Sequence, residues 1–228
     1  MFENIKIIGT SHISSDSIKL IKKTFLEFKP DVIAVELDKD RLFSLEHPQK
    51  ESNFPIKLIR TIGFTGFLFA LFGKYAQKKL GNIVKLKAGS DMMMAVTLAK
   101  KNKLELILID RHINITLKRF SQKFKFKEKF QIFKDIFSAL FSKKARMKFD
   151  LSKVPEDELI DSLIEKVKDS YPSLYLTLID ERNHFMSRNL IIFHKKNPNK
   201  KILCVVGAGH KKEMEKLLPI YNKKIELI

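Results

Sequence analysis

The 228-residue chain has one cysteine and no tryptophan. A single thiol closes no internal disulfide, so the fold must rest on its packed core. Cys204 sits in the apolar run Ile202-Leu203-Cys204-Val205-Val206, where a buried strand residue rather than a nucleophile is expected. Long hydrophobic runs are missing too. The longest, Ile62 to Phe72, is broken by Gly63 and Gly66 and falls well short of the ~20 residues that span a bilayer. No transmembrane segment is therefore expected. Met1 to Gly9 shows neither the basic start nor the long apolar stretch of a signal peptide, which points to a cytoplasmic protein.

Acidic groups are scarce: 26 Asp and Glu stand against 44 Lys and Arg, a net charge of +18. The excess is uneven. Between Lys118 and Lys148 eleven basic residues face only Glu128 and Asp135, so half of it (+9) lies in about a seventh of the chain. Within this stretch Phe126, Phe130, Phe133, Phe137 and Phe141 follow at helical spacing. Such a stripe is either core or, with its lysines, a face for anionic lipid that would place the protein peripherally at a membrane. No nucleic-acid recognition motif accompanies the charge, so nucleic acid is not an expected partner. A homo-oligomer is compatible with the composition.

A hydrophobic fraction of 44% supports a core without staples. The length suits one domain over residues 1–228, with a basic helical insertion over roughly 112–170. Short apolar strands alternate with helical periodicity. Strands are expected at Lys6–Ile8, Asp31–Val35, Leu104–Ile109, Ile202–Val206 and, last, Lys224–Leu227. Helices are expected over 14–28, 38–46, 55–80, 91–101, 157–168, 172–194 and 211–218. The class is α/β, with a mixed central sheet flanked by helices.

One pattern occurs twice. Lys6-Ile7-Ile8-Gly9-Thr10-Ser11-His12 and Cys204-Val205-Val206-Gly207-Ala208-Gly209-His210 are both strand, Gly-x-x-His, helix. Ligands of open α/β sheets bind at the carboxyl ends of strands. His12, Glu36, Asp110-Arg111 and His210 each follow an apolar strand by one to four residues. Two imidazoles and a carboxylate are a known donor set for a catalytic divalent ion such as zinc, and Glu36 could alternatively act as a general base. Glu181-Arg182-Asn183 interrupts the apolar run from Leu176 to Met186. It is either a solvated turn or a group that reaches a substrate carbonyl or carboxylate.

With these segments in order, the chain resembles the TraB/PrgY pheromone-shutdown family, and more distantly the Tiki proteases and the ChaN and erythromycin-esterase-like proteins. The matching segments are Gly9-Thr10-Ser11-His12, Pro30 to Asp38 with Arg41, Leu108-Ile109-Asp110-Arg111, Ile115 to Arg119, Glu181-Arg182-Asn183 and Val205 to His210. They span essentially the whole chain. The resemblance implies His12, Glu36 and His210 as catalytic groups or ligands of a divalent metal (zinc, manganese or cobalt). It also implies that Asp110, Arg111, Glu181, Arg182 and Asn183 orient a substrate. The activity implied is a metal-dependent hydrolase, a peptidase associated with pheromone shutdown. The alternative is a non-catalytic protein that sequesters a peptide or small ligand on the cytoplasmic membrane face. Three departures stand out: Gly89-Ser90-Asp91-Met92 where relatives have Gly-x-Glu-Met, His112 where the pattern is usually not histidine, and the hydrophobic C-terminal part of many relatives, which this sequence does not include. The last is expected of either the soluble part of a membrane-anchored protein or a short family member.

Overall fold

The computed structural model describes residues 2–10, 15–47, 59–63, 67, 89–128, 130–131, 134 and 156–226. His12, most of the expected 55–80 helix, and Phe133, Phe137 and Phe141 lie outside them.

Four strands, β1 (Ile5–Thr10), β2 (Val32–Val35), β3 (Glu105–Leu108) and β4 (Ile202–Gly207), form one sheet in the order β1-β4-β2-β3. Every pairing among the described residues is parallel. The α/β class is the expected one, with a parallel sheet in place of the mixed one that the sequence suggests. The closing strand expected at 224–227 is instead helix through Glu226. Pro219 suggests a helix end at Leu218, but Met214, Leu218, Tyr221 and Ile225 continue at helical spacing and all pack on the core. Tertiary burial outweighs the lost hydrogen bond.

Eight helices complete the elements whose positions matter here. These are α1 (Ser15–Phe28), α2 (Lys39–Glu46), α3 (Ser90–Lys101), α4 (Ile113–Lys123), α5 (Glu156–Ser170), α6 (Pro172–Tyr175), α7 (Glu181–Lys196) and α8 (Ala208–Glu226). Between α6 and α7 the turn widens to a π-helix over Leu176–Asp180, inside what reads in sequence as one continuous helix.

Strand pleating sorts side chains between two layers. Ile5, Ile7, Val32, Ala34, Ile202, Cys204 and Val206 meet Met186, Leu190 and Ile191 of α7 and Met214 and Leu218 of α8. Ile8, Ile33, Val35, Leu203 and Val205 meet Ile21 of α1 and Met92, Ala95, Val96 and Ala99 of α3. Covered on both faces, β4 is fully buried, and each large apolar side chain there contributes about 1.5–3 kcal/mol. Cys204 belongs to this layer. Burial, then the nearby Glu36 carboxylate, pushes its thiol up from its ordinary value, so it stays protonated and structural.

Gly9 is a strand residue opposite Val206, rather than a turn after the strand. It lets β1 lie against the start of α8, because a Cβ there would come within 2.8 Å of the Ala208 Cα. Backbone cannot swing aside as a side chain can. Gly9→Ala should therefore destabilise the fold by about 1–3 kcal/mol, read as a lower denaturant midpoint at unchanged slope.

Candidate functional site

Glu36 owes its position to β2 and β4. Val35 pairs with Val205, and the Glu36 amide donates to the Val205 carbonyl at 3.1 Å. Alternation turns Val35 toward α1 and α3, so Glu36 turns toward α7 and α8. Its carboxylate is buried, at 3% exposure. The Gly207 amide, where β4 passes into α8, donates to Oε2 at 2.6 Å. A helix start suits a carboxylate because its free N–H groups carry partial positive charge.

Three side chains from α7 and α8 close around this carboxylate. Arg182 Nη2 donates to Glu36 Oε1. Arg182 Nη1 lies 3.1 Å from His210 Nε2, and His210 Nε2 lies 3.4 Å from Glu36 Oε1. His210 Nδ1 is 2.6 Å from Asn183 Oδ1. An arginine can only donate, so Nε2 accepts and the imidazole proton sits on Nδ1, donated to the asparagine oxygen. Asn183 is fully buried and so fixes the tautomer that leaves the Nε2 lone pair beside Glu36.

Asp110 balances the arginine. It follows Ile109, whose amide donates to the Val35 carbonyl at 3.1 Å. Arg182 Nε lies 3.2 Å from both Asp110 oxygens and Nη2 lies 2.7 Å from Oδ2. Arg41 Nη1 reaches the same Oδ2 at 3.1 Å. Burial alone would lower the Arg182 pKa, but the Glu36 and Asp110 carboxylates raise it above the usual arginine value, so the guanidinium stays charged.

Next to this lies a second ion cluster. The buried Arg111 donates to Thr116 Oγ1 at 2.9 Å, Glu181 Oε2 at 2.9 Å and the Thr177 carbonyl at 2.7 Å. Glu181 also accepts two bonds from Arg119, at 2.6 and 2.8 Å, and one from Lys123 at 2.8 Å. The π-helical turn takes part: Thr177 O accepts from Arg111, and Leu178 O accepts from Arg182 Nη1 at 3.0 Å.

Glu36, Asp110, Arg182, Asn183 and His210 are thus brought together, while Arg111 and Glu181 join α4 to α7 beside them. His12 lies outside the described residues. Six residues stand outside the site groups expected from sequence. Arg41 completes the Asp110 shell, and Lys123 adds a third cation to Glu181. Thr10 Oγ1 hydrogen-bonds Asp91 Oδ2 in the first turn of α3, on the sheet face opposite Glu36. The Asp91 departure from the family pattern therefore still reaches the end of β1. Asp38 and His112 play supporting parts: Asp38 caps α2, and His112 caps α4 while its Nε2 meets Asp40 at 2.6 Å.

The model of the TraB/PrgY/gumN family matches residues 3–224. The chain belongs to that family. Uncharacterized protein MJ1365 of Methanocaldococcus jannaschii is 35% identical over 98% of this chain and 54% of its own length. TraB domain-containing proteins of Mus musculus and Homo sapiens are 24% and 23% identical over 93% of the chain and 62% of theirs. The chain thus spans between about half and three-fifths of the length of the curated relatives it matches. Family membership covers every element around Glu36. Among the described residues, no helix is long and apolar enough to cross a membrane.

Whether this family site suits an ion turns on its donors. Glu36 Oε1 and His210 Nε2, 3.4 Å apart, match one edge of a tetrahedral shell with bonds of ~2.0–2.2 Å. Asn183 supplies the outer hydrogen bond that metal-ligating histidines use. Two donors do not make a shell: among the described residues no group of three His, Cys, Asp or Glu side chains could hold an ion, and the Arg182 guanidinium lies on both lone pairs of this pair.

Burial raises the Glu181 carboxyl, but bonds from Arg119, Lys123 and Arg111 outweigh it and hold it at about 2 instead of 4.5. A carboxyl depressed by folding stabilises above its ordinary value, and that contribution is lost as pH falls through the folded one. Glu181→Gln should therefore flatten the loss of stability between pH 4.5 and about 2. At neutral pH it should cost about 1–3 kcal/mol, because Arg111 stays buried with a weaker acceptor. Acid titration followed by circular dichroism reads the first effect and denaturant unfolding the second.

Proposed function

We propose that the chain is a hydrolase acting on peptides, with Glu36 and His210 as its water-activating pair. The observation that carries this reading is the His210 Nε2 lone pair held 3.4 Å from Glu36 Oε1 by the buried Asn183. In this reading a water between the two groups gives its proton to Nε2, and Glu36 stabilises the imidazolium that forms. The water oxygen attacks the scissile carbonyl, and the Arg182 Nη groups donate to the developing oxyanion. Asp110 keeps the arginine at the edge of the site when Nη1 leaves His210. Returning the proton to the amine leaving group restores the neutral imidazole.

In a metal-loaded form Glu36 and His210 would instead serve as ligands of the divalent ion that the resemblance implies, with His12 as the third donor, and His210 would no longer be the proton acceptor. When bound there, the ion would supply Lewis acidity and acidify its water toward pH ~7. Shutdown of a peptide pheromone is the biological form we carry over from the resemblance, and a cytoplasmic location goes with it.

His210→Ala should lower kcat/KM by about 10²–10⁴-fold, measured on a quenched-fluorescence peptide library. Asn183→Leu should keep the fold but lower kcat/KM about tenfold or more, because Nδ1 loses the acceptor that orients the ring. Chelator treatment and metal analysis of the purified chain, followed by reloading with zinc, manganese or cobalt, test the ion. A chain that cleaves no peptide in apo or metal-loaded form is not a peptidase of this design. Saturable peptide binding without turnover, surviving Glu36→Gln, would establish the sequestering alternative. That alternative has one observation in its favour: Arg182 already satisfies both members of the pair.

A further inference from the structure

Residues 126–128, 130, 131 and 134 continue the chain beyond α4 in helical conformation. Two phenylalanines before this segment turn inward. Phe120 and Phe124 are buried, with ring centres 4.5 Å apart. The next two turn out: Phe126 is 85% exposed, more than any other large apolar side chain described, and Phe130 is 67% exposed.

The cause is a carboxylate on the opposite side. Glu128 is buried, accepting the Ser173 amide at 3.0 Å and the Ser173 hydroxyl at 2.6 Å, at the start of α6. At about 100° per residue, Glu128 lies about 200° round the helix from Phe126 and 160° from Phe130. Anchoring it inward therefore fixes both rings outward. Lys134 falls at the next four-residue step on the phenylalanine side, and the exposed Lys125 and Lys127 flank Phe126. The one described carboxylate in this segment is Glu128, and it faces inward.

We propose that this face docks on an anionic lipid bilayer, with Phe126 and Phe130 inserted at the headgroup–acyl boundary and Lys125, Lys127 and Lys134 on the lipid charges. Charge complementarity selects the occupant: every described charge on the outward side of this segment is positive. Shape agrees, since the rings protrude from a convex helix and suit a surface that deforms around them. Lysine stems lie along apolar surface while their ammonium groups stay in the polar layer. The patch is separate from Glu36 and His210, so this inference stands whether or not the peptidase reading does.

Flotation of the whole chain with vesicles is the test. Binding should be about tenfold tighter to vesicles with ~30% anionic lipid than to neutral ones. It should weaken several-fold at about 0.5 M salt, where screening acts within ~4 Å. Phe126→Ser with Phe130→Ser should reduce it at least about tenfold at unchanged circular dichroism and melting temperature. Lys125→Gln, Lys127→Gln and Lys134→Gln together should abolish the preference for anionic lipid, an arm that needs no change to the rings. Equal binding to neutral vesicles, no vesicle binding, or binding indifferent to both variants overturns the proposal. Self-association lost with the phenylalanines, without vesicle binding, overturns it in favour of a second copy as the occupant.

Discussion

A carboxylate buried beyond the end of β2 cannot stay charged without cations and donors around it, since an isolated buried charge costs several kcal/mol even after relaxation. Glu36 meets that demand from two directions. The Gly207 amide comes from the neighbouring central strand, and the Arg182 guanidinium comes across from α7. Arg182 would itself be intolerable at this depth without Asp110, and Asp110 brings Arg41. The β2–β4 register, through Val35 opposite Val205, is what sets these distances. A slip of one residue would turn Glu36 toward α1 and α3, away from Arg182 and His210.

The same cluster links architecture to chemistry. A self-neutralising set of ion pairs stabilises little by itself, because desolvation offsets most of the attraction. What it does supply is specificity of placement. His210 is held by Asn183 on one side and faces Arg182 and Glu36 on the other, so its lone pair has one direction. The arginine ties the pair to the rest of the cluster: it bonds Glu36 and His210 while it is anchored on Asp110 and on the carbonyl of Leu178. The π-helical turn contributes here, because its Thr177 and Leu178 carbonyls are the ones that receive guanidinium donors.

Much of this was legible in the residues. The alternating strands and the helix starts at Asp38 and beside Asp91 follow from local period and turn chemistry. The two Gly-x-x-His stretches read as turns, but Gly9 and Gly207 are strand residues, and His12 lies outside the described residues. Glu181-Arg182-Asn183 was ambiguous between a solvated turn and a site group. Its three members in fact part ways, Glu181 to Arg111, Arg119 and Lys123, and the other two to Glu36, Asp110 and His210. The aromatic stripe was ambiguous too, and no spacing rule could have resolved it. Phe126 and Phe130 face outward because Glu128 binds Ser173, forty-five positions away.

Sequence alone determined what depends on neighbours along the chain: the α/β class, the strand ends that carry polar groups, the family to which the motifs belong, and the basic excess. Tertiary structure decided what depends on register and layer. It chose the face Glu36 turns to, the tautomer of His210, the part Arg182 plays, and the helix that replaces a closing strand beyond Pro219. The reason is physical: period and propensity act over a few residues, whereas the compensation of a buried charge is settled by whatever distant group the packing brings within 3 Å or so.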